Sequence, residues 1–358
     1  MYLPLRNAVL SSPDYPFLPI DAPVKLDQNE SAEDFPPALK AIVLERVANA
    51  SWHRYPELNS ETLCAAIAEH DGWERSGVVV TTGSNVLIAL LIQLAALDSR
   101  VLTVKPNFAL YGLDAKLLGS TLTEVLLRDD FSIDIDGLIA ELDDTHTAGS
   151  GPAGVIYIPQ PHAPTGSLAS MDVLERLANA SKRWLLVIDE AYHQFAETDA
   201  SEFAKRFPHV VLLRTFSKAW GLAGMRLGYA LASSEVARNL RKLVPPFAVS
   251  VMQTQAALVA LAHPDYMRQR VASTIQERQR MAATLLQHPT WKVISSHANF
   301  LLIHTPGSAQ AFNALLAQGV LVRRQDIYLG LQGCIRVTVG TRAENDAFLS
   351  AAGLNPST

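Results

Sequence analysis

Lys218 stands in the run Thr215-Phe216-Ser217-Lys218-Ala219-Trp220-Gly221-Leu222-Ala223-Gly224-Met225-Arg226-Leu227-Gly228-Tyr229, with hydroxyls just before the amine and a guanidinium shortly after it. A free lysine has a pKa of about 10.4, so at neutral pH it reacts with an aldehyde only in a desolvated, electropositive surrounding. Arg226 can supply part of that positive field. Upstream, Asp189-Glu190-Ala191-Tyr192 offers a carboxylate and a phenol. A lone Ser-Lys pair reads as a solvated loop, but this whole constellation does not.

Two apolar runs must position these groups. Trp184-Leu185-Leu186-Val187-Ile188 reads as a buried parallel strand ending at Asp189, and Val210-Val211-Leu212-Leu213 as a second one delivering Thr215, Ser217 and Lys218. Open α/β sheets hold their ligands at the carboxyl ends of such strands. A site centred on Lys218 is therefore expected.

The run S-K-x-x-G-L-x-G-x-R-x-G-Y after D-E-A-Y resembles fold-type I pyridoxal-phosphate enzymes, and within them most closely the histidinol-phosphate aminotransferase family. The resemblance implies a mostly parallel seven-stranded α/β large domain with a smaller α+β domain. It also implies pyridoxal 5'-phosphate held through Lys218, with Ser217 and Arg226 on its phosphate, Asp189 at the pyridine nitrogen, Tyr192 at the 3'-oxygen and Thr215 also among the cofactor-binding residues. An aspartate there keeps the ring protonated and electron-withdrawing.

Val78 to Thr82 reads as a strand, and Gly83-Ser84-Asn85 opens an apolar helix to about Leu97. A glycine turn before a helix presents free backbone N–H groups to an anion, so this is the expected phosphate cradle, with Asn85 able to cap the helix. Val101 to Val104 is the next strand, and Phe108 in the following P-x-[YF]-x-x-Y pattern is, by the resemblance, the ring stacked on the pyridine. Gly149 to Gly154 matches G-x-G-x-x-G by letter, but it precedes the strand Val155 to Ile158, whereas a dinucleotide fingerprint follows one. It reads instead as part of a surface loop. After that strand, Pro159-Gln160-Pro161-His162-Ala163-Pro164-Thr165-Gly166 departs from the family's N-P-x-N-P-T-G, with Ala163 in place of an asparagine that contacts the 3'-oxygen. Either His162 takes that place or Tyr192 carries more of the contact.

Residues 1–35 are expected to form an extended arm belonging to the small domain, 36–246 the large domain and 247–358 the small one, with Pro245-Pro246 at the break. By the resemblance Tyr15 of the arm faces substrate, and Tyr55 of Arg54-Tyr55-Pro56 crosses a homodimer interface to the partner's cofactor phosphate. Helices are expected over Val251 to Leu261 and Asp265 to Leu286. Near the C-terminus, G-C-x-R-[VI]-T-V-G-T-R places Arg336 where the family binds a substrate carboxylate, and Arg323 where it meets the substrate's phosphate. A guanidinium fork matches a carboxylate bidentately. Arg324 either adds to this positive charge or forms a surface ion pair.

With 358 residues, 49% of them hydrophobic, the chain can bury a large core. A net charge of −5 with no Lys/Arg cluster argues against nucleic acid, and the two cysteines, Cys64 and Cys334, against a disulfide framework or zinc cluster. Neither a signal peptide nor a membrane-length apolar run is visible, so the cytoplasm is expected. The resemblance implies transamination between histidinol phosphate and 2-oxoglutarate, as in histidine biosynthesis. An aminotransferase for aromatic or other amino acids, or a decarboxylase resembling threonine-phosphate decarboxylase, would share the same cofactor residues. A cofactor-binding regulator would need an appended DNA-binding domain, and no such segment precedes residue 36.

Overall fold

The computed structural model describes residues 4–15, 19–142, 152–196 and 199–355. Its main sheet holds β1 (Val78–Thr81), β2 (Arg100–Lys105), β3 (Thr121–Leu126), β4 (Gly154–Pro159), β5 (Trp184–Asp189), β6 (Val210–Thr215) and β7 (Gly228–Leu231). The order across the sheet is β1-β7-β6-β5-β4-β2-β3, and β7 alone runs against the rest. Most of β3 was absent from the apolar pattern because it is the outer strand, half-exposed and paired only with β2.

The central strands are apolar throughout because both their faces are covered. Side-chain alternation sends Ile156, Ile158, Leu186, Ile188 and Leu212 into one core, and Val155, Tyr157, Leu185, Val187, Val211 and Leu213 into another. In-register pairing sets Asp189 beside Pro159 of β4 and Leu213 of β6, so the ends of these strands finish together. The helix Met171–Ala180 makes the crossover from β4 to β5. Ser170 caps its first turn, and Leu174, Leu177 and Ala178 form its buried stripe.

Beyond the sheet, the helices Val251–Ala262 and Asp265–Leu285 lead to a four-stranded antiparallel sheet. It orders Arg323–Arg324, Cys334–Thr338, Phe300–His304 and Lys292–Val293 side by side over a third core built on Leu301, Ile303, Ile335 and Val337. After Gly319 the chain forms two short strands. Val320–Leu321 pairs in parallel with Val24–Lys25 of the arm, while Arg323–Arg324 joins the antiparallel sheet. The arm is also less extended than its prolines suggest, since Asn7–Leu10 is a helical turn.

Among the described residues no helix is long and apolar enough to cross a membrane. Gly149, Ser150 and Gly151 lie outside the described residues; Gly154 opens β4. Cys64 and Cys334 are buried, and desolvation pushes each thiol up to about 11.

Candidate active site

A cavity of about 500 Å³ opens where the carboxyl ends of β4, β5 and β6 meet the arm and the antiparallel sheet. Lys218, Asp189, Tyr192, Thr215, Ser217, Ser84, Asn85, Phe108 and Arg226 line it, and so do Tyr15, Arg323 and Arg336. Residues spread over most of the chain are thus gathered by strand ends and the loops just after them.

Lys218 follows β6, and its Nζ donates to the backbone carbonyl of Gln28 at 2.9 Å. The arm therefore forms the wall on which the amine rests. Asp189 ends β5 with its side chain buried. Its Oδ2 accepts from the Tyr111 hydroxyl at 2.7 Å and its Oδ1 from the Ala191 N–H at 3.1 Å. Burial raises the Asp189 pKa, while these two donors pull it back. The next residue, Glu190, turns the other way and meets Arg214 of β6, whose Nε donates to Glu190 Oε2 at 2.8 Å. Alternation along the strand thus separates a carboxylate lining the cavity from one neutralised beneath it.

The helix Ser84–Ala95 begins beside this group with Gly83 at its N-cap and no side chain capping it. Asn85, expected as a possible cap, lies two residues past the capping position and is exposed; that position belongs to a glycine at φ 98°. That positive φ is costly for a residue with a Cβ, and a Cβ there would also crowd the Arg226 guanidinium. A Cβ on Gly228 would fall against the Ser84 backbone nitrogen, so β7 passes under the helix start only as glycine. The result is a set of backbone N–H groups at a helix start, with Thr215, Ser217 and Arg226 lining the same cavity.

On the opposite wall, Arg323 and Arg336 are direct cross-strand partners. Like charges facing each other across an antiparallel pair oppose folding unless an anion joins them. Arg336 Nη2 donates to the Asp27 carbonyl at 2.9 Å, and the guanidinium lies 5.3 Å from the Phe300 ring centroid. Desolvation, with Arg323 adding to it, lowers the Arg336 pKa. Arg324 points elsewhere: it pairs with Asp326 at 2.7 Å and is absent from the cavity lining, so the surface ion pair is the reading that holds.

His162 does not reach the cavity in place of the missing asparagine. It is buried, with Nδ1 2.7 Å from the Thr165 hydroxyl and Nε2 3.0 Å from the Pro106 carbonyl. Ala163 lines the cavity with its methyl group. Tyr55 is also outside the cavity, 82% exposed and stacked on Phe247 at 4.8 Å. Sequence reasoning missed Tyr111, Asn29 and the Gln28 carbonyl. Each acts on a site residue far away in the chain; Tyr111 closes the P-x-[YF]-x-x-Y pattern, but the pattern does not name its partner.

A mixed sheet with one antiparallel strand, an amine after its sixth strand and a carboxylate ending its fifth fit a fold-type I pyridoxal-phosphate enzyme. In agreement, the profile of the family "Aminotransferase class I and II" matches residues 22–351, and the chain belongs to that family. It is 47% identical over 349 residues to histidinol-phosphate aminotransferase of Deinococcus radiodurans, covering 97% of this chain and 95% of the relative. The enzyme of the same name from Thermococcus kodakarensis is 37% identical, with 97% of each chain covered. Among solved structures, histidinol-phosphate aminotransferase from Sinorhizobium meliloti in complex with pyridoxal-5'-phosphate superposes with a TM-score of 0.85 at 24% identity, over 98% of this chain and 97% of that one.

Proposed function

We propose that the chain transfers an amino group between histidinol phosphate and 2-oxoglutarate, with pyridoxal 5'-phosphate as cofactor. The relatives that carry this activity in their names support the substrate pair. The observation that carries the reading is one cavity holding an amine, a buried carboxylate met only by neutral donors among the described residues, and two facing guanidiniums.

The donor set fits the cofactor. Asp189 suits a cationic ring nitrogen and Tyr192 a ring oxygen, while Phe108 offers a flat apolar face that excludes water. The helix start at Gly83, Ser84 and Asn85, with Thr215, Ser217 and Arg226, suits a phosphate dianion. When bound, the cofactor supplies an electron sink for the substrate carbon that loses its proton.

Lys218 Nζ is the group that takes that proton and returns it, and the Gln28 carbonyl fixes where the amine waits. Arg336 binds the carboxylate of glutamate or 2-oxoglutarate, and Arg323 and Tyr15 hold the phosphate end of the other substrate. One pocket can accept both because the two arginines are adjacent.

The fold divides, on this reading, into an arm of residues 1–35, a large domain of 36–246 and a small domain of 247–358. Pairing of Val24–Lys25 with Val320–Leu321 supports assigning the arm to the small domain. The protein acts as a cytoplasmic homodimer in which Tyr55 reaches the partner's cofactor phosphate; the exposed Trp52, Tyr55, Leu58 and Phe247 support a covered face.

The test is turnover of histidinol phosphate with 2-oxoglutarate against phenylalanine, with carbon dioxide release monitored. Histidinol phosphate should be the better donor, and no carbon dioxide should form. In Lys218→Ala, turnover should fall by at least about 10²-fold. Turnover within about tenfold of wild type in that variant would remove Lys218 from its role, and preference for phenylalanine would reassign the substrate.

A further inference from the structure

Tyr111 has no place in the site as read from sequence, yet it makes the shortest polar contact to Asp189. It sits in the helix Leu110–Leu118, fully buried, with its ring stacked on Tyr157 at 4.7 Å between centroids and 7° between planes. The two phenols differ in what they face. Tyr157 donates to the backbone carbonyl of Ile88 at 2.7 Å, whereas Tyr111 donates to a side-chain carboxylate at the same distance.

A carboxylate taken out of water is costly in its charged form unless donors or a counter-ion compensate. Asp189 is buried and ion-pairs with no cation among the described residues; its two donors are the Tyr111 hydroxyl and the Ala191 N–H. The backbone donor belongs to the turn and is present whatever the side chains are. Only the phenol can be removed by substitution. Burial keeps Tyr111 itself protonated, so it serves Asp189 as a donor and does not compete as an anion.

We infer that Tyr111 is a positioning residue acting through Asp189, its hydroxyl holding the buried carboxylate charged and in one orientation and so setting how tightly the site binds a pyridine ring nitrogen. The inference rests on the cofactor reading above. Tyr111 lines the cavity beside Asp189, and its effect is confined to ligands that present a basic ring nitrogen to that carboxylate.

Two probes separate this from a packing role: pyridoxal 5'-phosphate, and its analogue with carbon in place of the ring nitrogen. Dissociation constants for both are measured by equilibrium dialysis on cofactor-free protein. Tyr111→Phe should weaken pyridoxal phosphate by about tenfold or more, as loss of a hydrogen bond to a charged group does, while leaving the carbon analogue within about twofold. Tyr157→Phe, which removes the other hydroxyl of the same stacked pair, should leave the ratio of the two constants unchanged. Equal weakening of both ligands in Tyr111→Phe, or none, would overturn the inference. Should that variant fail to fold, 3-fluorotyrosine at position 111 keeps the shape and is a stronger donor; it should tighten pyridoxal phosphate relative to the analogue, and an unchanged ratio would overturn the inference equally. Wild-type protein that binds neither probe would instead sink the cofactor reading, and this inference with it.

Discussion

The side-chain amide of Asn29 donates to the phenolic oxygen of Tyr192 at 3.0 Å, tying the arm to the turn that follows β5. Thr338 Oγ1 also donates to Asn29 Oδ1 at 3.3 Å, so three distant segments meet on one amide. With a lone pair of Tyr192 occupied, the phenol's proton is left for the cavity that Tyr192 lines. Since the Ala163 side chain offers no donor, Tyr192 would carry the contact to that side of the proposed cofactor's ring by itself, and its orientation should matter. Asn29→Ala is expected to lower kcat/KM by about fivefold to tenfold, the worth of roughly one buried hydrogen bond. Steady-state kinetics, with a thermal melt to separate unfolding from misorientation, is the check; unchanged kinetics in a folded variant would show that Tyr192 needs no such guide.

Arg336 is held by the Asp27 carbonyl and the Phe300 ring, with no carboxylate paired to it among the described residues. Lysine at 336 would keep the charge and lose the planar fork that meets a carboxylate through two parallel bonds. For Arg336→Lys, KM for glutamate or 2-oxoglutarate should rise by about tenfold to a hundredfold, with a smaller change in kcat. A variant with wild-type KM would place the carboxylate elsewhere.

Arg214 donates to Glu190 Oε2 at 2.8 Å, to Asp71 Oδ1 at 2.9 Å and to Ser201 Oγ at 2.7 Å, all in the interior. Arg214→Met would leave two buried carboxylates without their cation and should cost about 3–5 kcal/mol of stability. Adding Glu190→Gln and Asp71→Asn should recover much of that loss, because the cost lies in the stranded charges. Urea unfolding of the three proteins decides it: a single variant as stable as wild type would mean the network contributes little.

The cavity's central groups were legible because parallel strands buried on both faces leave unbroken apolar runs, and Asp189 and Lys218 sit at or just past the ends of two of them. Arg214 was legible in principle and overlooked, since a charge inside the run Val210 to Thr215 demands buried partners. The outer strand Thr121–Leu126 was not, because one partner and half-exposed side chains leave only a weak alternation. Tyr111 and Asn29 illustrate a different limit. Their partners, Asp189 and Tyr192, lie 78 and 163 residues away, and only the folded topology brings them together. Asn85 was misplaced as a possible cap because side-chain preference favours asparagine, whereas the capping position itself has a positive φ of 98° that favours glycine.

His162 makes the stability of the fold sensitive to mild acid. The Pro106 carbonyl can only accept, so Nε2 carries the ring hydrogen and Nδ1 accepts from the Thr165 hydroxyl. Burial lowers the pKa to about 4, against a partial opposing pull from the Pro106 carbonyl. The folded value is therefore depressed below the unfolded one of about 6.5, and between the two the unfolded chain takes up a proton that the native ring refuses. Stability from this residue is complete above about pH 6.5 and is lost as the pH falls towards 4, a total of about 3 kcal/mol at about 1.4 kcal/mol per unit. Unfolding free energies measured in urea at pH 7.5 and pH 5.0 should fall by about 2 kcal/mol more in wild type than in His162→Asn, which has no ring to titrate. The variant should be the less stable protein at pH 7.5, having lost two buried hydrogen bonds, and the two should converge on acidification. Parallel losses in the two proteins would show that the buried imidazole takes up its proton as readily in the native state as in the unfolded chain.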